Sequence, residues 1–95
     1  MNKLPLAEFS YTPSSIGPGI SVTVDASASY DPEGWPLRYH WEFGDGSAAN
    51  TTSTSIQHTY SASQTFVVTL TVTDVRGGMS SQSQALKVGF APVAL

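Results

Sequence analysis

The 95-residue chain contains no cysteine, which removes disulfides, thiolate nucleophiles and cysteine-ligated zinc together. The absence leaves the cellular compartment open, because extracellular proteins without disulfides are as compatible with it as cytosolic ones. Charge is scarce too, at 12% of residues with a net charge of −3. The four basic residues, Lys3, Arg38, Arg76 and Lys87, are scattered. That argues against nucleic acid as a partner, since neutralising phosphates needs Lys and Arg clustered on one face. It argues against an anionic membrane surface for the same reason. No apolar run approaches the roughly 20 residues that span a bilayer, so membrane insertion is not expected. Met1-Asn2-Lys3 opens no signal peptide, and any export signal is expected to lie outside this stretch. Two lysines and three glutamates stand against 24 serines and threonines, a surface polar without charge that disfavours long exposed helices.

What is present has a period of two. Leu37, Tyr39, Trp41 and Phe43 alternate with Arg38, His40 and Glu42, the pattern of a half-buried strand. Phe66, Val68, Leu70 and Val72 alternate with Thr69, Thr71 and Thr73, and outward threonines suit a pleated surface. Ile20, Val22 and Val24 predict a third strand, and Ala7, Phe9 and Tyr11 a shorter one. Ser55 to Tyr60 and Met79 to Val88 are weaker candidates, the latter convincing only near Leu86 and Val88. Turn clusters separate these runs: Pro13-Ser14-Ser15, Gly17-Pro18-Gly19, Asp31-Pro32-Glu33-Gly34, Gly44-Asp45-Gly46 and Gly77-Gly78. No stretch has a clean 3.6-residue period. Six or seven short strands without a helix imply an all-β fold, two antiparallel sheets stacked as a sandwich. Tyr39, Trp41, Phe43 and Phe66 are then expected to fill the space between the sheets.

In Trp41-Glu42-Phe43-Gly44-Asp45-Gly46-Ser47 a core strand runs straight into a turn. A phosphate-binding loop would need a helix N-terminus behind it and usually a lysine. Neither follows, and the string reads as a rigid strand exit. It resembles the hallmark of the polycystic-kidney-disease (PKD) domain family. Further matches in family order are Asp25-Ala26-Ser27-Ala28-Ser29, Asp31-Pro32-Glu33-Gly34, His58-Thr59-Tyr60 and Val68-Thr69-Leu70-Thr71-Val72-Thr73-Asp74. The resemblance implies an immunoglobulin-like β-sandwich of about seven strands. It also implies an exported or cell-surface setting, often in tandem or beside microbial hydrolases, and a non-catalytic role in interaction, substrate attachment or spacing. Two positions depart from the family pattern: Trp35 replaces an acidic or polar residue, and Gln64 stands where Gly is common.

Residues 1–88 are therefore expected to form one PKD domain. Residues 89–95 read as a linker or the start of a following module, because Pro5-Leu6-Ala7 recurs as Pro92-Val93-Ala94. An ordinary C-terminal tail is the alternative.

Candidate sites are few. Trp35, between Gly34 and Pro36, either caps the core or offers an exposed platform for a sugar ring or an apolar side chain, and Tyr30 could extend it into an aromatic strip. Asp31, Glu33 and Asp74 are the carboxylates expected to converge, near Asn2, and could hold calcium with backbone carbonyls and water. The simpler alternative is that Asp31 and Asp74 serve their own turns. No other cofactor is implied. His40 is expected to be solvated or in a cross-strand pair, and neither His40 nor His58 has an acidic partner at metal-ligand spacing. Tyr60 is expected to bond its hydroxyl back to the backbone. Asn50-Thr51-Thr52 is an N-glycosylation pattern at Asn50. Arg38 and Glu42 amount to a surface pair at most. No Gly-x-Ser-x-Gly elbow marks a nucleophile, so no catalytic residue is assigned. The expected role is a non-enzymatic extracellular or cell-surface unit, a spacer or adhesion module with weak protein or polysaccharide contacts. The alternative is attachment of a secreted hydrolase to a polymer through Trp35.

Overall fold

The computed structural model of the chain describes residues 4–12 and 16–89, in which seven strands and no helix are formed. They are β1 (Ser10–Thr12), β2 (Ser21–Asp25), β3 (Leu37–Glu42), β4 (Ala48–Thr51), β5 (Ser55–Thr59), β6 (Gln64–Asp74) and β7 (Met79–Val88). One sheet has the order β1-β2-β5 and the other β4-β3-β6-β7, with every pairing antiparallel. The turn cluster Pro13-Ser14-Ser15 and the Pro92-Val93-Ala94 echo lie outside the described residues.

The alternating apolar residues of β2, β3 and β6 meet between the layers. Val22, Val24, Tyr39, Trp41, Phe66, Val68, Leu70 and Val72 are all buried there, and Trp41 is fully enclosed. Phe9 meets the Trp41 indole edge-on at 5.1 Å, and Tyr60 stacks on Phe66 at 4.3 Å. Such pairs add to the area they bury because each ring's electropositive edge faces a neighbour's electron-rich face. Among the described residues the buried Trp41 indole N–H meets no hydrogen-bond partner.

The chain's first segment joins both sheets. Leu6 forms an antiparallel bridge with Tyr30, and β1 pairs with β2. Ile16 bridges Val88 in parallel, and the Gly89 N–H donates to the Ile16 carbonyl at 2.6 Å. The strand expected over Ala7 to Tyr11 is therefore regular only from Ser10. Upstream, Phe9 is held by side chains: its N–H donates to Gln82 Oε1 at 3.0 Å and its carbonyl accepts from Gln84 Nε2 at 2.6 Å.

Four further differences from the sequence reading have physical causes. Ile20 is 38% exposed and precedes β2, because its N–H is used in the turn to the Gly17 carbonyl. Phe43 is buried just beyond β3, its N–H already bonded to Ser47 across the turn. Strand β4 has no apolar alternation and exists through its register with β3, Ala48 opposite Glu42 and Thr51 opposite Tyr39. Strand β7 runs its full ten residues although only Leu86 and Val88 are buried, since it is the long antiparallel partner of β6.

Candidate functional site

The turn after β3 is built by close approach. Gly44 has φ +85°, and a Cβ there would stand 2.5 Å from the Val67 carbonyl oxygen and 2.9 Å from the Val67 nitrogen. Only glycine meets both conditions. Asp45 then accepts the Ser47 N–H at 3.0 Å through Oδ1 and meets His58 Nε2 at 2.7 Å through Oδ2. The His58 ring lies flat on Phe43 at 4.1 Å and edge-on to Tyr60 at 4.7 Å. The Tyr60 hydroxyl donates to the Phe43 carbonyl at 2.7 Å. Burial, joined by the nearby Asp45 charge, pushes the Tyr60 pKa up to about 12. Partial burial acts to raise the Asp45 pKa, but the hydrogen bonds from His58 and Ser47 and the charge of His58 outweigh it. The carboxyl is held below its ordinary value. His58 thus has the acidic partner that its sequence neighbours did not suggest. The cluster ties the exit of β3 to the end of β5, one in each sheet.

At the other end of the sandwich three segments converge. Leu6 pairs with Tyr30, Ser80 donates to the Pro5 carbonyl, and the Arg76 guanidinium lies 4.7 Å above the Trp35 ring. Trp35 is 37% exposed, held by a cation on one face rather than sealed into the core. Tyr30 is 54% exposed. The ring contacts formed do not include Tyr30 with Trp35, so the expected aromatic strip is replaced by the Trp35–Arg76 stack. Leu4, Leu6, Val75 and Met79 are exposed at this end as well.

The acidic set expected to hold calcium is not assembled. Among the described residues no group of three or more His, Asp or Glu side chains is gathered closely enough to hold a metal ion. Asp31 Oδ1 accepts the Glu33 N–H at 2.7 Å, while the buried Oδ2 meets no hydrogen-bond partner among the described residues. Asp74 Oδ1 accepts the N–H groups of Arg76 at 2.8 Å and Gly78 at 2.9 Å. Each carboxylate is engaged by its own turn. Asn2 lies outside the described residues.

On the outer face of β4-β3-β6, His40 Nδ1 hydrogen-bonds Asn50 Oδ1 at 2.7 Å across the β3–β4 pair. Glu42 lies 3.6 Å from His40 Nε2 rather than beside Arg38. An open groove of about 630 Å³ runs over this face, lined by Arg38, Tyr39, His40, Asn50, Thr51, Thr52 and Thr73.

Comparison with known proteins decides the family. The sequence matches the PKD domain over residues 2–88. The chain belongs to the PKD domain family. Over 67 residues, 70% of its length, this PKD domain is 36% identical to collagenase ColA of Clostridium perfringens (strain 13 / Type A), of which it spans 6%. A solved structure described as the basis for promiscuous specificity of carbohydrate-binding modules from the β-sandwich superfamily superposes with a TM-score of 0.91 at 34% identity. It covers 96% of the PKD domain and 36% of that chain. The PKD1 domain of Vibrio anguillarum Epp superposes with a TM-score of 0.79 at 25% identity, covering 96% of this domain and all of that one. PKD domains are generally non-catalytic modules, and the collagenase relative is a far longer protein in which such a domain is one small part.

Proposed function

We propose that this PKD domain is a non-catalytic module of an extracellular or cell-surface multidomain protein, spacing its neighbours and making weak contacts with protein or polysaccharide. The observation that carries this reading is the path of the chain. Pro5 sits beside Ser80 at the start of β7, and Gly89 follows the end of that strand beside Ile16. Nine steps of about 3.4 Å along an extended strand put these points roughly 30 Å apart, at opposite ends of a stiff sandwich. A module threaded end to end holds the domains on either side of it apart.

A second reading has its own observation. Trp35 presents an exposed indole steadied by Arg76, with Tyr30, Leu6, Val75 and Met79 exposed around it. A large rigid ring held in place costs little entropy when a partner docks. This end of the module then attaches a secreted hydrolase to an insoluble polymer. Retention of the chain on collagen, chitin and cellulose, compared with Trp35→Ala, separates the two. Negligible retention of both forms supports the spacer. Retention of the parent chain that falls severalfold in the variant supports attachment. Tight retention that is indifferent to Trp35 contradicts the second reading.

A further inference from the structure

The groove over β4-β3-β6 has a composition that the fold does not require. β3 sends Arg38 and His40 outward, the neighbouring register positions are Asn50 on β4 and Thr71 and Thr73 on β6, and Thr51 and Thr52 close the β4 side. Among the described residues no aliphatic side chain lines it, and Tyr39, the one aromatic there, is buried on the strand's inner face. Hydroxyls, an amide, an imidazole and a guanidinium are matched instead to a polyhydroxylated ligand. At about 630 Å³ the groove lies within the 300–1,000 Å³ typical of ligand sites and is open along its length.

Arg38 supplies the discrimination. Among the described residues no carboxylate comes within ion-pair distance of it, although the chain carries a net charge of −3. Glu42, the acid on the same strand face, lies four residues away, about 13 Å along a strand, and is turned toward His40. Asp74 is opposite Leu37 in the register, buried on the inner face and bonded to backbone N–H groups. The guanidinium fork therefore faces the groove without competition, and that fork matches a carboxylate bidentately. His40 is fixed by Asn50 and presents a set edge to the same space.

We propose that this groove binds an acidic saccharide, an oligouronate, with Arg38 gripping one carboxylate and His40, Asn50, Thr52 and Thr73 bonding ring hydroxyls. The site is separate from Trp35, so it stands or falls apart from the attachment reading. A glycan carried on Asn50 would fill the same space, and the two uses exclude one another.

The test is an amide-resolved NMR titration of the full chain, made without glycosylation, with tetragalacturonate. The expected shifts are confined to residues 38–40, 50–52 and 71–73, saturating near 1 mM, the weak regime of a single open groove. Methyl-esterified tetragalacturonate, or Arg38→Gln with the parent probe, should bind at least ~10-fold more weakly, the worth of about 1.4 kcal/mol. Arg38 is exposed, and an unchanged amide spectrum of the free variant shows that it folds. Trp35→Ala should leave the titration unaltered. Absence of shifts at 10-fold higher probe, shifts that survive Arg38→Gln, equal response to acetate alone, or tighter binding of tetra-aspartate would each overturn the proposal.

Discussion

Asp45 and His58, thirteen residues apart, meet at 2.7 Å and join the turn behind β3 in the four-stranded sheet to β5 in the three-stranded one. Both side chains are partly covered, and the contact is backed by the flat stack of His58 on Phe43. The two layers are therefore fastened at this end by a polar contact as well as by their apolar interior. Removing either partner leaves the other polar group with reduced access to water, which costs more than the net worth of the bond. His58→Ala and Asp45→Ala should each destabilise the fold by ~1–3 kcal/mol, and the double variant by clearly less than their sum. Urea unfolding of the four proteins measures this; strict additivity would mean that the contact contributes nothing.

Acid should act through the same carboxylate. Asp45 is held below its ordinary pKa, as is Asp25 by the backbone and side-chain hydrogen bonds of Ser27. A depressed carboxyl binds fewer protons folded than unfolded, so its contribution is fully present above about pH 4 and lost as pH falls through the folded value. Tyr60 works in the opposite direction. Its raised pKa makes its contribution complete below about pH 10 and lost as pH climbs toward 12. Thermal melts across pH 2–11 should show a plateau with decline below pH 4 and above pH 10. Asp45→Asn should flatten the acidic limb, and Tyr60→Phe the alkaline one.

Gly44 and Gly46 share a positive φ, +85° and +93°, but only Gly44 is pressed against a backbone, that of Val67. Ala at position 46 meets open space and should cost ~1–2 kcal/mol, the strain of the left-handed conformation alone. Ala at position 44 must also displace β6 and should cost at least ~1 kcal/mol more than Gly46→Ala, a typical cost of overpacking. Chemical unfolding of the two variants gives the comparison. Equal losses would show that the approach to Val67 is relieved cheaply.

Gln82 and Gln84 substitute for a neighbouring strand along Phe9, one accepting its N–H and the other donating to its carbonyl. Replacing both by Ala should release residues 6–9 locally while the sheets persist. Hydrogen exchange at the Phe9 amide should accelerate by roughly tenfold or more, the loss of ~1–2 kcal/mol of local protection, with little change at Leu70. Uniform acceleration throughout would place this segment in the cooperative core.

These side chains also explain what was legible in the sequence. The strands of β3 and β6 and the residues they bury were readable because alternation alone assigns both faces of a strand. Strand β4 was not, because Ala48, Ala49, Asn50 and Thr51 carry no apolar stripe, and an edge strand is defined by the partner it bonds. Strand β7 read weakly because the interior-facing positions of its first half are polar and partly covered by residues 5–9, held by Ser80, Gln82 and Gln84. The PKD hallmark pointed to the turn but not to the His58–Asp45 contact, which joins two segments in different sheets. Arg76 over Trp35 was equally hidden, since 41 positions separate them and only the register of β3 with β6 brings their turns together. The acidic set misled because Asp31 and Asp74 each spend Oδ1 on the backbone N–H groups of their own turns.

The chain's path through the sandwich is the claim on which the spacer reading rests, and the lack of cysteine makes it directly measurable. Spin labels on Leu4→Cys and Lys87→Cys, both exposed, report the distance between the start of the first segment and the end of β7. Seven strand steps from Ser80 put the two at roughly 25 Å, and pulsed electron resonance should return a single narrow distribution near that value. A short distance, or a broad distribution spanning tens of ångströms, would mean that the module does not hold its ends apart.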